Sequence, residues 1–223
     1  MDETALYPLL SWMTPAYPVG GYSYSHGLEW VVEAGLVRSP EDLRGWVAAI
    51  IGEGAGRLDA TLLAATWRAV GDEALDEVAE LGAAFRGTRE LALESAQQGA
   101  AFLAVTRAAW PHPRIEAFVE RHAGEAPLPV AVGLAAAAHS VPLEPTLTAY
   151  LHALGSSLVS AGIRLIPLGQ TDGQRILAAL APVVAGAARD ARQTPLDRLG
   201  AATLGVDLAS MHHETQHTRL FRS

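Results

Sequence analysis

Residues 39–52, Ser39-Pro-Glu-Asp-Leu-Arg-Gly-Trp-Val-Ala-Ala-Ile-Ile-Gly52, carry a complete helix signal. Ser39 offers a side-chain oxygen to the first free N–H groups, and Pro40 has no N–H to leave unpaired. Glu41 and Asp42 put negative charge at the positive end of the helix dipole. Leu43, Val47, Ile50 and Gly54 then fall three and four apart, which places them on one face. The same spacing recurs outward along the chain. Leu75, Val78, Gly82 and Phe85 form a second stripe; Leu91, Ser95, Gln98, Phe102 and Val105 form a third, with polar interruptions. Alternation of apolar and polar residues is not seen, so no strand is expected.

Stops agree with starts. Gly35 and Gly71 follow apolar runs, where a left-handed C-cap residue is needed. Pro111 and Pro113 end the third stripe, and Pro127, Pro129, Pro142 and Pro145 punctuate the middle. The pattern predicts ten helices, over 23–34, 40–53, 57–70, 73–86, 89–109, 114–122, 129–139, 145–164, 173–190 and about 203–215. Pro182 lies inside the ninth and is expected to bend or break it. The second half is rich in small residues, as in GLAAAAHS (133–140), LGSSLVSAG (154–162) and AALAPVVAGAA (178–188), so its helices are expected at the centre, packed on several sides. With no repeat and no long linker, residues 1–223 read as one all-α domain, a bundle of about ten helices with Ala/Gly-rich central members.

Composition narrows the function. The chain has 223 residues, 50% of them hydrophobic and 18% charged, enough for one sizeable core. A formal charge of −8 argues against nucleic-acid binding, which needs a basic surface. All positive side chains are Arg, and there is no Cys, so disulfides, thiolate metal sites and cysteine nucleophiles are excluded. The start, MDETALYPLLSW, has acids where an export signal has bases. Residues 145–163 are uncharged, but their Ala, Gly, Ser, Thr and His152 suit a protein core better than lipid. A soluble cytoplasmic protein without membrane contact is expected.

Near the end stands His213-Glu-Thr-Gln-His217, the spelling H-E-x-x-H. On a helix it would put two imidazoles one turn apart, with a glutamate to activate a zinc-bound water. A third protein ligand normally follows, and only Thr-Arg-Leu-Phe-Arg-Ser remains. A metal-dependent hydrolase using His212, His213, Glu214 and His217 is thus the alternative rather than the leading reading. Gly20-Gly21 and Gly169–Gly173 match neither a P-loop nor a dinucleotide fingerprint, and no G-x-S-x-G elbow occurs. Two turns are unusually polar. Residues 15–29, PAYPVGGYSYSHGLE, present Tyr22, Tyr24 and His26 between glycines, as interaction surfaces do. Residues 164–174, RLIPLGQTDGQ, break two apolar helices, and Thr171 or Asp172 there suits a helix cap.

PAYPVGGYSYSHGLEWVVEAGLV (15–37), RLIPLGQTDGQR (164–175) and DLASMHHETQHTRLFRS (207–223) together resemble the N-terminal, central and C-terminal motifs of the urease accessory protein F family, in the right order. In that family the tail reads H-E-T-Q followed by an aromatic residue. His217 departs from this, so the resemblance makes H-E-x-x-H an accident of one substitution.

The resemblance implies an all-helical, dimeric, non-catalytic scaffold. It would bridge the D/H-type urease accessory protein and the GTPase G during nickel insertion into apo-urease, controlling the GTPase or gating nickel transfer. No cofactor would be held tightly, since nickel is handled by the complex, and no metal ligand is assigned. Residues 1–20 and 213–223 are expected to bind partners. Partner contacts are expected from Tyr22, His26, Glu29, Gln170, Asp172, Glu214, Arg219, Leu220, Phe221 and Arg222, with Glu29 and Asp172 exposed and dispensable for stability. Residues 218–223 are expected to be mobile until the D-type partner supplies carboxylates and an apolar pocket, because ordering them costs about 1–2 kcal/mol per residue.

Overall fold

Ser39 caps its helix as the sequence requires. In the computed structural model, which describes residues 3–223, Asp42 N–H donates to Ser39 Oγ at 3.1 Å while Ser39 N–H donates back to Asp42 Oδ2 at 3.0 Å. Thr88 caps the longest early helix with a single such bond, accepting from Leu91 N–H. Eleven α-helices result among the described residues: α1 Glu3–Trp12, α2 Leu28–Glu33, α3 Pro40–Gly52, α4 Ala55–Arg68, α5 Asp72–Ala84, α6 Arg89–Ala109, α7 Pro113–His122, α8 Leu128–Ala138, α9 Leu143–Leu165, α10 Gln170–Ala191 and α11 Leu204–His213. No strand occurs among these residues.

Three expectations are corrected. α1 was not foreseen, because Pro8 sits inside it; yet Ala5, Leu9 and Trp12 recur at four and three and are buried. The helix expected over 23–34 is only α2, preceded by a single 3₁₀ turn at Gly21–Ser23. His26 and Gly27 both have positive φ, 52° and 72°, which no right-handed helix accommodates. Pro182 neither ends nor interrupts α10. The N–H it lacks would bond the carbonyl of Ala178, and both residues are exposed, so water can take that acceptor.

The centre is α4 crossing α8. From Leu58 to Ala64 every residue of α4 is buried, and so is every residue of α8 from Pro129 to Ala136. Their approach depends on Gly133: a Cβ there would lie 2.8 Å from the carbonyl oxygen of Leu63 and 2.9 Å from Thr66 Cβ. Helices α3, α9 and α10 pack together on one side of α4, α6 packs on α8, and α2 meets α11. The small-residue rule therefore holds for α8 but misses α4, and it overstates α10, where Ala178, Ala179, Ala181 and Ala185 face out.

Candidate functional site: a tail cradle beside a polar cavity

The turn that stops α2 from starting early also builds the site. With left-handed His26 and Gly27 in succession, the chain reverses and Glu29 N–H comes within 3.4 Å of Ser25 Oγ. Gly27 has a second reason to be glycine, since a Cβ would lie 2.7 Å from Ser210 N and 2.8 Å from Ala209 C in α11. Into the resulting cradle runs the segment 219–223. Leu220 N–H donates to Glu29 Oε1 at 2.7 Å and Phe221 N–H to Glu29 Oε2 at 2.9 Å. Arg222 N–H donates to the Ser23 carbonyl and Ser25 N–H to the Ser223 carbonyl, both at 2.7 Å.

Side chains complete the dock. Phe221 is 4% exposed, with the Arg164 guanidinium 4.4 Å above its ring. Arg164 also donates to the carbonyl of Tyr22 at 2.8 Å. Arg219 pairs with Glu90 Oε1 at 2.8 Å, and His213, fully buried, sits with Nδ1 2.7 Å from Glu90 Oε2 and Nε2 3.3 Å from Glu29 Oε2. The expectation of a tail awaiting a partner is corrected here. The carboxylates and the apolar pocket that ordering requires come from this chain, from Glu29, Glu90 and the hydrophobic core that Phe221 joins.

The ten residues singled out from sequence divide by this geometry. Tyr22, Gln170, Arg219, Leu220 and Arg222 are exposed. His26, Glu29 and Phe221 are buried, so Glu29 is not an exposed side chain dispensable for stability. Asp172 Oδ2 accepts from Gly169 N–H at 3.2 Å and caps α10, the bland role its position allowed. Glu214 Oε1 accepts from Arg89 N–H at 3.1 Å at the start of α6. Residues of all three sequence motifs meet at the cradle: Tyr22 to Glu29 from the first, Arg164 from the second, His213 and 219–223 from the third. Of the segment 1–20, Met1 and Asp2 lie outside the described residues; α1 presents Leu6, Tyr7 and Leu10 to solvent.

The zinc reading fails on geometry. α11 ends at His213, Glu214 is its C-cap, and His217 lies beyond it in a bend, exposed, while His213 is buried between two carboxylates. No group of three or more His, Asp or Glu among the described residues stands arranged to hold a metal ion.

Behind the cradle lies a cavity of about 760 Å³, which sequence reasoning missed. One wall is aromatic, with Trp12, Tyr17 and Phe102. The other is polar. Arg86 Nη1 donates to Asp59 Oδ1 at 2.8 Å, and the Tyr150 hydroxyl donates to Asp59 Oδ2 at 2.7 Å. Burial, followed by the Asp59 charge, pushes the Tyr150 phenol well above its ordinary range. Glu94 Oε1 faces His26 Nε2 at 3.1 Å and accepts from Gln98 Nε2 at 2.9 Å; Glu94 Oε2 accepts from Ser223 Oγ at 2.9 Å. Burial opposes charge on His26 and is the largest single influence, but Glu94, by charge and hydrogen bond, with Asp59 behind it, outweighs it and raises the imidazole's pKa. The signals were present: Ser95 and Gln98 interrupt an apolar stripe, and Asp59 stands alone in the apolar run of α4.

A further feature lies outside the motifs. Leu204, Leu208 and Met211, at i, i+4 and i+7 of α11, are all exposed. Among the described residues no helix is long and apolar enough to cross a membrane, and the uncharged stretch 145–163 lies within α9.

Known proteins resemble this chain over its full length. The family model named UreF matches residues 37–181, more than half of the chain. A urease accessory protein UreF of Rhodopseudomonas palustris is 52% identical over 225 residues, spanning 100% of this chain and 93% of its own length. One from Granulibacter bethesdensis is 52% identical over 224 residues, covering 99% of this chain and 95% of its own. One from Bradyrhizobium diazoefficiens is 50% identical over 225 residues, covering 100% and 93%. All three are named for an accessory role and not for catalysis. The chain belongs to the UreF family of urease accessory proteins.

Proposed function

We propose that this protein is a non-catalytic, cytoplasmic scaffold in urease maturation. As a homodimer it bridges the D/H-type accessory protein and the GTPase G in the complex that delivers nickel to apo-urease, and it influences the GTPase through that contact. Nickel is the cargo of the complex, not a resident cofactor of this chain. The observation that carries the reading is the pair of uncovered apolar stripes, Leu204, Leu208 and Met211 on α11 and Leu6, Tyr7 and Leu10 on α1. Large apolar residues at helical spacing on a surface mark protein contact. The α11 stripe adjoins the cradle, where exposed Arg219, Leu220 and Arg222 are held in a fixed arrangement. In this reading Tyr22, Gln170, Arg219, Leu220 and Arg222 touch partners, whereas His26, Glu29, Asp172, Glu214 and Phe221 shape the surface that does.

The test is co-expression with the D and G proteins. Leu208→Glu should abolish capture of at least one partner and, with it, urease activation. Its thermal midpoint should stay near that of wild type, since exposed substitutions shift stability by only about 0.5 kcal/mol. Full capture of both partners by a Leu208→Glu, Leu10→Glu double variant overturns the proposal.

A further inference from the structure

The hydrogen bonds around the cavity leave an imbalance of donors. Both oxygens of Asp59 are occupied, by Arg86 and Tyr150, and both of Glu94, by His26, Gln98 and Ser223. Four residues that line this cavity each carry a buried side-chain atom with no partner among the described residues: Arg86 Nη2, His26 Nδ1, Ser95 Oγ and Trp12 Nε1. The first three belong to the polar wall. Arg86 can only donate, and the Ser95 hydroxyl, one residue beyond Glu94 on α6, can donate. His26 presents Nδ1, with Nε2 committed to Glu94. Buried donors without acceptors are rare in folded proteins, and here they share one lining.

We propose that this wall binds a small oxyanion, held by the guanidinium of Arg86, the imidazole of His26 and the hydroxyl of Ser95. A cation would find the carboxylate oxygens already satisfied by the chain's own donors, and would face the Arg86 charge. An oxyanion supplies the acceptors that the wall lacks. Asp59 and Glu94 do not repel it at full strength, because each already faces a cationic or titratable nitrogen within 3.1 Å. The left-handed backbone of His26 fits the same picture, since strained conformations at non-glycine residues gather at binding sites. The cavity leaves ample room. Ser223 belongs to the same network through Glu94, so an occupied site adjoins the docked tail. Binding needs no partner protein, and its outcome is separate from that of the scaffold reading.

The experiment titrates the purified full chain with sodium phosphate, sodium acetate or sodium bicarbonate, against sodium chloride at equal ionic strength. Binding is read by calorimetry and by the NMR signals of the Arg86 side chain and the Trp12 indole. At least one oxyanion should bind saturably where chloride does not, and acetate or bicarbonate against phosphate distinguishes a planar from a tetrahedral ligand. Ser95→Ala removes no bond within the chain, so it should fold normally and bind about three- to tenfold more weakly. Arg86→Lys, which keeps a cation opposite Asp59, should lose about tenfold or more. If Arg86→Lys fails to fold, Ser95→Ala decides alone. The proposal is overturned if none of the three oxyanions gives a saturable response, if Ser95→Ala binds as tightly as wild type, or if nickel(II) chloride rather than an oxyanion produces the saturable shifts.

Discussion

Glu29→Gln isolates the docking of the tail. The replacement is isosteric, yet a carboxylate that accepts from Leu220 N–H and Phe221 N–H, with His213 Nε2 3.3 Å away, becomes an amide with one oxygen and two N–H groups. The single oxygen left at this position can keep one backbone amide. The new side-chain nitrogen then points N–H at the other amide, donor against donor. Leu220 is 63% exposed and its amide can turn to water; Phe221 is buried and its amide cannot. The oxygen therefore stays with Phe221, and the loss is one charge-assisted bond, worth about 1.5–3 kcal/mol. Each 1.4 kcal/mol is tenfold, so opening should be favoured about 10- to 150-fold.

Hydrogen exchange reads this directly. The amides of Phe221 and of Ser25, which donates to Ser223, should exchange faster by that factor in Glu29→Gln. Amides in the middle of α4 and α8 should not change. Equal protection of Phe221 in both proteins refutes the reasoning, as does wild-type exchange of Phe221 at the rate of an unstructured peptide.

Other outcomes follow from the same geometry. Gly133→Ala brings a methyl group to 2.8 Å from the Leu63 carbonyl, a backbone atom that cannot swing aside; α4 and α8 must part, at a cost of about 1–3 kcal/mol in urea unfolding. Because the raised pKa of His26 means the folded state holds its proton more tightly, its contribution is fully present below the ordinary value of 6.5 and is lost as pH rises through the folded value. Denaturation midpoints should therefore fall as pH rises above 6.5, and His26→Asn, which tolerates positive φ, should flatten that slope while Glu94, Asp59, Arg86 and Tyr150 remain. Glu214→Gln keeps the oxygen that accepts from Arg89 N–H, so urease activation in a co-expression assay should stay at about half of wild type or better, whereas a general base lost in this way costs about 10²–10⁴ in rate.

What the sequence disclosed depended on whether a signal was local. Ser39 and the Leu43, Val47, Ile50 spacing announce α3 because cap and stripe are contiguous. α1 shows the same stripe at Ala5, Leu9 and Trp12, but a single proline masks it. That Glu29 would be buried could not be read from residues 15–37, because what buries it lies 191 and 192 residues away at Leu220 and Phe221. The motifs contain Glu29, Arg164, His213 and 219–223, which meet in the cradle, but not Glu90, which pairs with Arg219 and His213 there. Their assignment to partners alone failed for Glu29 and Phe221, which serve each other. Asp59, Glu94 and Arg86 belong to none of the motifs, although polar residues within the α4 run and the α6 stripe mark that side of the bundle.

The bond between Ser25 and Ser223 spans 198 positions, and that between Asp59 and Tyr150 spans 91. Helical bundles fold quickly when their contacts are local, since little loop entropy precedes each reward. Here α1 through α11 can assemble while the cradle is still empty, and seating Phe221 closes a loop around almost the entire bundle. Closure entropy grows only as the logarithm of loop length, so the penalty is modest, but it falls on one late step. Refolding should therefore separate into a fast phase that forms helix and core, and a slower one in which Arg164 and Glu29 capture the tail.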